Sequence, residues 1–240
     1  MQFGLSKNGI LALAERARKY ETPRTVAAKN AMGRLQVALD GVLSKHAANT
    51  SRTELSAEGK QAENRKGLRD AFAEIHRSTA TATALTAKLN SRELRNRTLP
   101  ASDKSDLVGA VKRSEDRAVL RSLPPGDRLG AALTDPGVLA SALEGTDLAS
   151  GLTREMRKTL TDHFVASDPD RAKAVAEIEV DREAVVHLTQ SIHFLRGAVG
   201  TSGGFASAVE FATAMKTAIG DRAPEIAAQA ARAVDGSMAV

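Results

Sequence analysis

The sequence predicts an all-α protein, an irregular bundle of many helices that includes two long ones at about residues 57–90 and 169–199. Apolar residues recur at spacings of three and four along most of the chain, which is the period of an amphipathic helix. Proline and glycine fall between these periodic stretches, and no stretch alternates apolar and polar residues as a half-buried strand does. Because 42% of the 240 residues are hydrophobic, the chain has enough apolar side chains for a core.

The longest predicted helix begins at Asp168, which can accept hydrogen bonds as an N-cap, followed by Pro169 at the first helical position. One side of this helix carries an apolar seam interrupted by Asp181, which we expect to pair with an arginine across a helix interface. At 1.5 Å per residue the helix is about 45 Å long, so its seam must pack against other long helices or a second subunit. The predicted packing and oligomer seam consists of Ala174, Ile178, Val185, Leu188, Ile192, Leu195 and Val199.

Two helices are predicted before the long ones: one over residues 6–20, and one that starts at Thr22-Pro23 and ends before Asn49. The helix over 57–90 begins very polar and becomes amphipathic at Leu68. A short basic segment follows it, closed by Pro100, and contains Arg92, Arg95 and Arg97.

Short helices separated by proline and glycine are predicted for residues 101–166, with a forced turn at Pro124-Pro125-Gly126. After the long helix, the glycine-rich residues 200–204 predict a flexible link to a further helix that Gly220 can terminate. The last helix is predicted to begin at Pro224.

Charge is distributed unevenly along the chain, although the net charge is only +5. Residues 1–100 carry 18 Lys and Arg against 9 Asp and Glu, whereas residues 101–240 carry 16 against 20. With Pro100, this difference indicates a basic helical region (1–100) and a helical bundle around the long helix (101–240), unless the whole chain is one domain.

The basic half favours an anionic partner, either the DNA backbone or an acidic protein surface; the alternative is an ordinary solvated helix face. The candidate phosphate or acidic-partner contacts are Lys60, Arg65, Lys66, Arg69, Arg92, Arg95 and Arg97.

Several chemistries are excluded by composition. The chain has no cysteine, so a disulfide framework, a thiolate metal site and a cysteine nucleophile are impossible. No apolar run approaches the roughly 18 residues that a membrane-spanning helix needs. Residues 1–5 lack the features of a secretion signal. We therefore expect a protein of the cytoplasm or of a virion, neither transmembrane nor secreted through a signal peptide.

Residues 200–204, Gly-Thr-Ser-Gly-Gly, match the G-x-S-x-G pattern of a serine nucleophile, but a helix precedes them and no histidine follows His193. A helix linker with Ser202 as N-cap is the better interpretation. His187 and His193 are six residues apart on one helix and point to different sides, so they cannot share a metal ion. We predict no enzyme activity, no cofactor and no metal site, because the neighbouring acidic residues are spread around the helix: Glu177, Glu179, Asp181 and Glu183.

One region resembles a known group of proteins. It comprises Ser-Leu-Pro-Pro-Gly-Asp-Arg-Leu at 122–129, Thr-Asp-Pro-Gly-Val-Leu-Ala-Ser-Ala-Leu at 134–143, and Leu-Ala-Ser-Gly-Leu-Thr at 148–153 with the helix that follows. This pattern resembles uncharacterised helical proteins of tailed bacteriophages, which are virion components or are encoded beside the portal and capsid proteins. The resemblance implies a structural protein of the head or neck, assembled in many copies around the portal or the packaged DNA.

Together these observations predict a structural or interaction protein that forms a homo-oligomer through its long helices. The most concrete form is a phage virion head or neck component, associated with portal-type or capsid-type structural proteins. The alternative is a nucleic-acid-binding accessory protein that uses the basic N-terminal region to contact phosphates without reading bases. Aromatic residues make up only 3% of the chain, which argues against a stacking platform for single strands.

Overall fold

A computed structural model describes residues 25–238 of the protein. Within that range all regular structure is helical and no strand is present, so the all-α prediction is confirmed. A 3₁₀ turn at Gly220–Arg222 precedes the last helix. In chain order the α-helices are α1 (Val26–Thr50), α2 (Ala57–Lys66), α3 (Arg69–Arg97), α4 (Leu107–Ser122), α5 (Pro125–Thr134), α6 (Pro136–Glu144), α7 (Asp147–Ser150), α8 (Arg154–Ala166), α9 (Pro169–Gly203), α10 (Ala208–Ile219) and α11 (Ala223–Met238).

The helices form two compact units, and the division falls inside α3 and α9. Among the described residues, the first unit combines those up to Leu89 with those from Val180 onward, and the second unit is Asn90–Glu179. This division differs from the boundary near residue 100 that the charge distribution suggested. The reason is that the later part of α9 packs with helices from the start of the chain. Counts of charged residues along the sequence do not show which helices pack together.

The core of the first unit is built from aliphatic side chains and alanine of α1, α3, α9, α10 and α11. A cluster of three phenylalanines adds the largest side chains. Phe72 of α3 lies against Phe205 and Phe211, with ring centroids 6.1 Å and 5.5 Å away. These edge and tilted contacts bring three of the chain's six phenylalanines together.

Side-chain caps define the short helices of the second unit. The carboxylate of Asp106 accepts a hydrogen bond from the Gly109 amide at 2.8 Å and starts α4. Asp135 caps α6 in the same way through Gly137, at 2.7 Å. Because each cap satisfies amide groups that a helix start leaves unpaired, short helices become possible here. They enclose a small core whose buried members are Leu120, Ala132, Leu139, Ala142, Leu152 and Leu160.

The helix predicted over 57–90 is in fact two helices, and this prediction was wrong. The chain leaves α2 at Gly67, whose amide donates to the carbonyls of Glu63 and Asn64 at 3.4 Å and 3.0 Å. Leu68 turns into the core before α3 begins. The second helix then continues to Arg97, so the predicted basic segment after residue 90 is helical. Because apolar residues recur at helical spacing from Leu68 onward, the sequence pattern did not show that the helix is interrupted at Gly67.

The other long helix starts where predicted, because Asp168 accepts a hydrogen bond from the Asp170 amide at 3.0 Å. It ends at Gly203 instead of residue 199. Ser202 is therefore inside α9 and is not the N-cap of the next helix, and the predicted link is shorter than expected. The stop comes at Gly204, which has a positive φ of 58° that side-chain-bearing residues rarely adopt.

The helix over residues 6–20 and the helix start at Thr22-Pro23 lie outside the described residues. The end of α1 at Thr50 is close to the predicted one. No helix of the described range has the length and hydropathy to cross a membrane.

Candidate interaction site

The predicted seam of α9 is used inside the chain. Leu188, Leu195 and Val199 have no exposed surface, and they pack in the core of the first unit against α1 and α3. This part of the seam therefore needs no second subunit to be buried. Along the whole seam no position is exposed: Ile178 and Ile192 are also buried, and Ala174 and Val185 are half-buried. Asp181 is buried along with them.

Arg65 is the clearest case of a predicted basic contact that works within the chain. Its Nε donates to the carbonyl of Gly203 at 2.7 Å, and its Nη2 lies 2.8 Å from the Glu210 carboxylate. The guanidinium thereby closes the C-terminal end of α9, where carbonyl groups have no helical partner. Hydrogen bonds from the Ala206 amide and from Arg65 lower the pKa of Glu210.

Four other predicted contacts are also engaged within the chain. Lys60 donates to the Thr50 carbonyl at 2.9 Å, Lys66 to Glu63 at 2.6 Å, Arg92 to Glu177 at 2.9 Å, and Arg97 to Asp162 at 2.7 Å. An anionic partner would have to compete with these bonds.

Arg69 and Arg95 differ from the other five basic residues. Both are exposed, and neither forms an ion pair or side-chain hydrogen bond with another described residue. The first unit contains Arg69 together with Lys60, Arg65 and Lys66, whereas the second unit contains Arg95 together with Arg92 and Arg97. The structure therefore does not bring the seven predicted contacts together on one surface of one unit.

An exposed apolar face lies on α4 in the second unit. Val108 is 83% exposed and Val119 is 60% exposed, whereas Leu120, about 100° around the helix from Val119, is 1% exposed and packs in the core. Leu107 and Val111 are exposed beside them. Four large apolar side chains are therefore exposed along this 16-residue helix, as a stripe that other residues interrupt.

Two charged residues lie within this stripe, Lys112 and Glu115. At 100° per residue, they and the two valines 108 and 119 fall within a sector of about 60° around the helix. Both charged side chains are exposed and make no ion pair or hydrogen bond with another described residue. Val108 and Val119 are equally far in sequence from the point between Arg113 and Ser114, and Lys112 and Glu115 are centred on the same point.

We call Leu107, Val108, Val111, Lys112, Glu115 and Val119 the α4 face. The sequence shows the apolar residues of this helix, but Leu120 and Val119 are adjacent and equally apolar. Only the packing of the second unit shows which side is buried. In the sequence, this face is indicated only by the helical spacing of Val108, Lys112, Glu115 and Val119.

No family model, curated protein or solved structure matches this chain. Among the described residues, no group of three or more His, Asp or Glu side chains is arranged to hold a metal ion. The α4 face is the surface whose chemistry most directly indicates a binding partner, because large exposed apolar stripes mark interaction sites.

Proposed function

We propose that this protein is an all-α interaction protein that self-associates through the α4 face. The observation that carries the proposal is the exposed stripe of Val108, Val111 and Val119, with charges of both signs placed among the valines. Burying apolar surface against a partner releases about 25 cal/mol per Å². A partner that covers this face must also neutralise one positive and one negative charge.

A second copy of the same helix meets both requirements when the two helices pair antiparallel about a two-fold axis. With the axis at the point between Arg113 and Ser114, Val108 of one copy faces Val119 of the other. The same axis brings Lys112 of one copy opposite Glu115 of the other. Every contact occurs twice, which is the property of an isologous interface.

This contact is small. A helix of 16 residues is about 24 Å long, and interfaces that bury less than roughly 1,200 Å² in total belong to weak or transient associations. We therefore expect a dimer whose population depends on protein concentration.

The proposed setting is the head or neck region of a tailed phage, as a subunit that contacts portal-type or capsid-type proteins. The resemblance of residues 122–153 to phage proteins supports this setting. An isologous α4 contact closes a dimer, so a ring around a portal would require a further, heterologous contact. Mass spectrometry of purified virions tests the setting: stoichiometric copies of the chain are expected, and its absence from virions would contradict it.

The test of the interface is the substitution Val108→Asp. Because this side chain is exposed, the change should leave folding intact while placing a charge in the interface. Light scattering after gel filtration should give the wild type a mass that rises with concentration above the 25.3 kDa of one chain. The variant should stay at the single-chain mass.

Val209→Asp on α10 is the matched control, since Val209 is also an exposed valine but lies in the first unit. It should associate as the wild type does. A wild type that remains monomeric at every concentration, or two variants that behave alike, would contradict the proposal.

The nucleic-acid-binding alternative remains a second proposal, favoured by the exposed and unengaged side chains of Arg69 and Arg95. It predicts duplex DNA binding that weakens steeply with salt, since phosphate contacts release counterions. The double variant Arg69→Gln/Arg95→Gln should then bind more weakly. Absent or salt-insensitive binding would exclude it.

A further inference from the structure

A charged groove lies in the first unit between α1 and α3, far in sequence from the α4 face. It encloses about 740 Å³, and Arg222 of the 3₁₀ turn contributes to its wall. A smaller groove of about 260 Å³ adjoins it and extends toward α11. Arg34 and Arg77 line both grooves, so these two arginines stand where the grooves meet.

The two arginines are held in place by one buried carboxylate, that of Glu74. Arg34 Nε donates to its Oε1 at 3.0 Å, and Arg77 Nη1 donates to its Oε2 at 2.6 Å. The Ser78 hydroxyl adds a third hydrogen bond at 2.9 Å. The Glu74 side chain is only 7% exposed, whereas those of Arg34 and Arg77 are 42% and 33% exposed. A single negative charge thus fixes two positive ones at the groove wall.

Each arginine keeps most of its donors after binding Glu74. Neither Nη group of Arg34 forms a hydrogen bond with another described residue, and the same is true of Nε and Nη2 of Arg77. A guanidinium presents its N–H groups in a planar fork that matches the oxygens of a phosphate. Two such forks at one site favour a phosphate over a single carboxylate.

The rest of the lining adds positive charge. Lys29 and Arg222 line the groove and form no ion pair with another described residue. Among the described residues of the lining, these two and Arg34 and Arg77 give four cationic side chains, against the carboxylates of Asp70 and Glu74. None of the described residues that line the two grooves is aromatic, so these residues offer a base or ring no stacking surface.

We infer that this groove binds a phosphate-bearing anion, with Arg34 and Arg77 as its phosphate contacts and Lys29 as a further cation. The volume is much larger than one phosphate needs. The phosphate can therefore belong to a free polyphosphate compound or to the backbone of a nucleic acid, and the two sources share the same chemistry.

The experiment measures binding to the full-length chain with two probes. Inorganic pyrophosphate is titrated by calorimetry, and a labelled short DNA duplex is titrated by fluorescence anisotropy. The groove variant is Arg34→Gln/Arg77→Gln. The matched control is Lys216→Gln/Arg232→Gln, which also removes two positive charges, from exposed side chains of the first unit that line neither groove.

We expect the wild type to bind, the groove variant to bind at least about tenfold more weakly, and the control to bind as the wild type does. Pyrophosphate binding without DNA binding identifies a free phosphate ligand. DNA binding that pyrophosphate displaces identifies a nucleic-acid backbone. Binding of neither probe, or equal losses in the groove variant and the control, overturns the inference.

Circular dichroism monitors folding, because the double variant removes both cationic partners of Glu74 and leaves only the Ser78 hydroxyl. If that variant is unfolded, Lys29→Gln decides, since Lys29 holds no ion pair with the described residues. A loss of affinity of about threefold or more in this variant supports the groove, as expected for one charge contact. Unchanged affinity overturns it.

Discussion

At the scale of single residues, several arginines hold backbone segments of this protein together. Arg128 donates to three backbone carbonyls, those of Leu123, Arg121 and Gly151, at 2.9 Å, 3.0 Å and 2.6 Å. Arg157 donates to the Leu143 carbonyl at 2.9 Å. The sequence shows such residues only as positive charge. Whether an arginine binds a partner or closes a helix depends on where the helix ends lie, which is a tertiary property.

The ion pair between Arg97 and Asp162 gives a pH-dependent contribution to stability. Hydrogen bonds from Lys158 and Arg97 hold the pKa of Asp162 below its usual value. A carboxylate whose pKa is lower in the folded state stabilises the fold above its unfolded pKa, and this contribution is lost as the pH falls through the folded pKa.

We therefore predict that Asp162→Asn lowers the urea midpoint at pH 7. The difference from the wild type should shrink as the pH falls below about 4, where the unfolded carboxyl becomes protonated. Urea unfolding at neutral and acidic pH measures this. A difference that is independent of pH would show that the charge of Asp162 contributes nothing.

At the scale of elements, helix starts were more predictable than helix ends. Asp168 and Pro169 start α9 as the sequence indicates, because capping depends on a few adjacent residues. The end of α2 at Gly67 was missed, since a glycine is compatible with both a helix interior and a helix end. Gly67 ends the helix because the next residue, Leu68, packs in the core of the first unit.

Gly151 terminates α7 in a left-handed conformation, with φ of 65°. A Cβ there would lie 2.9 Å from Arg128 Nη1 and 3.0 Å from Arg121 Cγ. We predict that Gly151→Ala lowers the free energy of unfolding by about 1–2 kcal/mol, as measured by urea denaturation.

Gly130→Ala is the control, and we expect it to change the free energy of unfolding in the opposite direction. Gly130 is exposed inside α5, and a Cβ there meets nothing within 4 Å. Alanine should stabilise the helix by about 0.5–1 kcal/mol. Equal effects of the two substitutions would contradict the assigned backbone conformation at Gly151.

At the scale of the whole molecule, the fold class followed from the sequence but the grouping of helices did not. Apolar periodicity specifies which side of a helix is buried, and it says little about which other helix covers that side. The seam of α9 illustrates this, since Leu188 and Leu195 contact a core shared with α1 and α3. The α4 face was missed for the same reason: burial of Leu120 on another side of the helix leaves it exposed.

The burial of the seam within one chain leads to a prediction about stability. Leu188→Ala should lower the free energy of unfolding by about 2–5 kcal/mol, the usual cost of such a cavity. Urea unfolding followed by circular dichroism at several protein concentrations measures it. The loss should be the same at each concentration, whereas a loss that varies with concentration would place the seam between subunits.

Self-association through the α4 face is tested most directly by exchanging its two charges. Sedimentation equilibrium would compare the wild type with Lys112→Glu, with Glu115→Lys and with the double variant. Each single change places like charges opposite each other across the proposed two-fold axis, so both should weaken the dimer. The double variant restores opposite charges in every pair and should dimerise as the wild type does. A double variant as weak as the single ones, or no effect of any exchange, would contradict the antiparallel pairing.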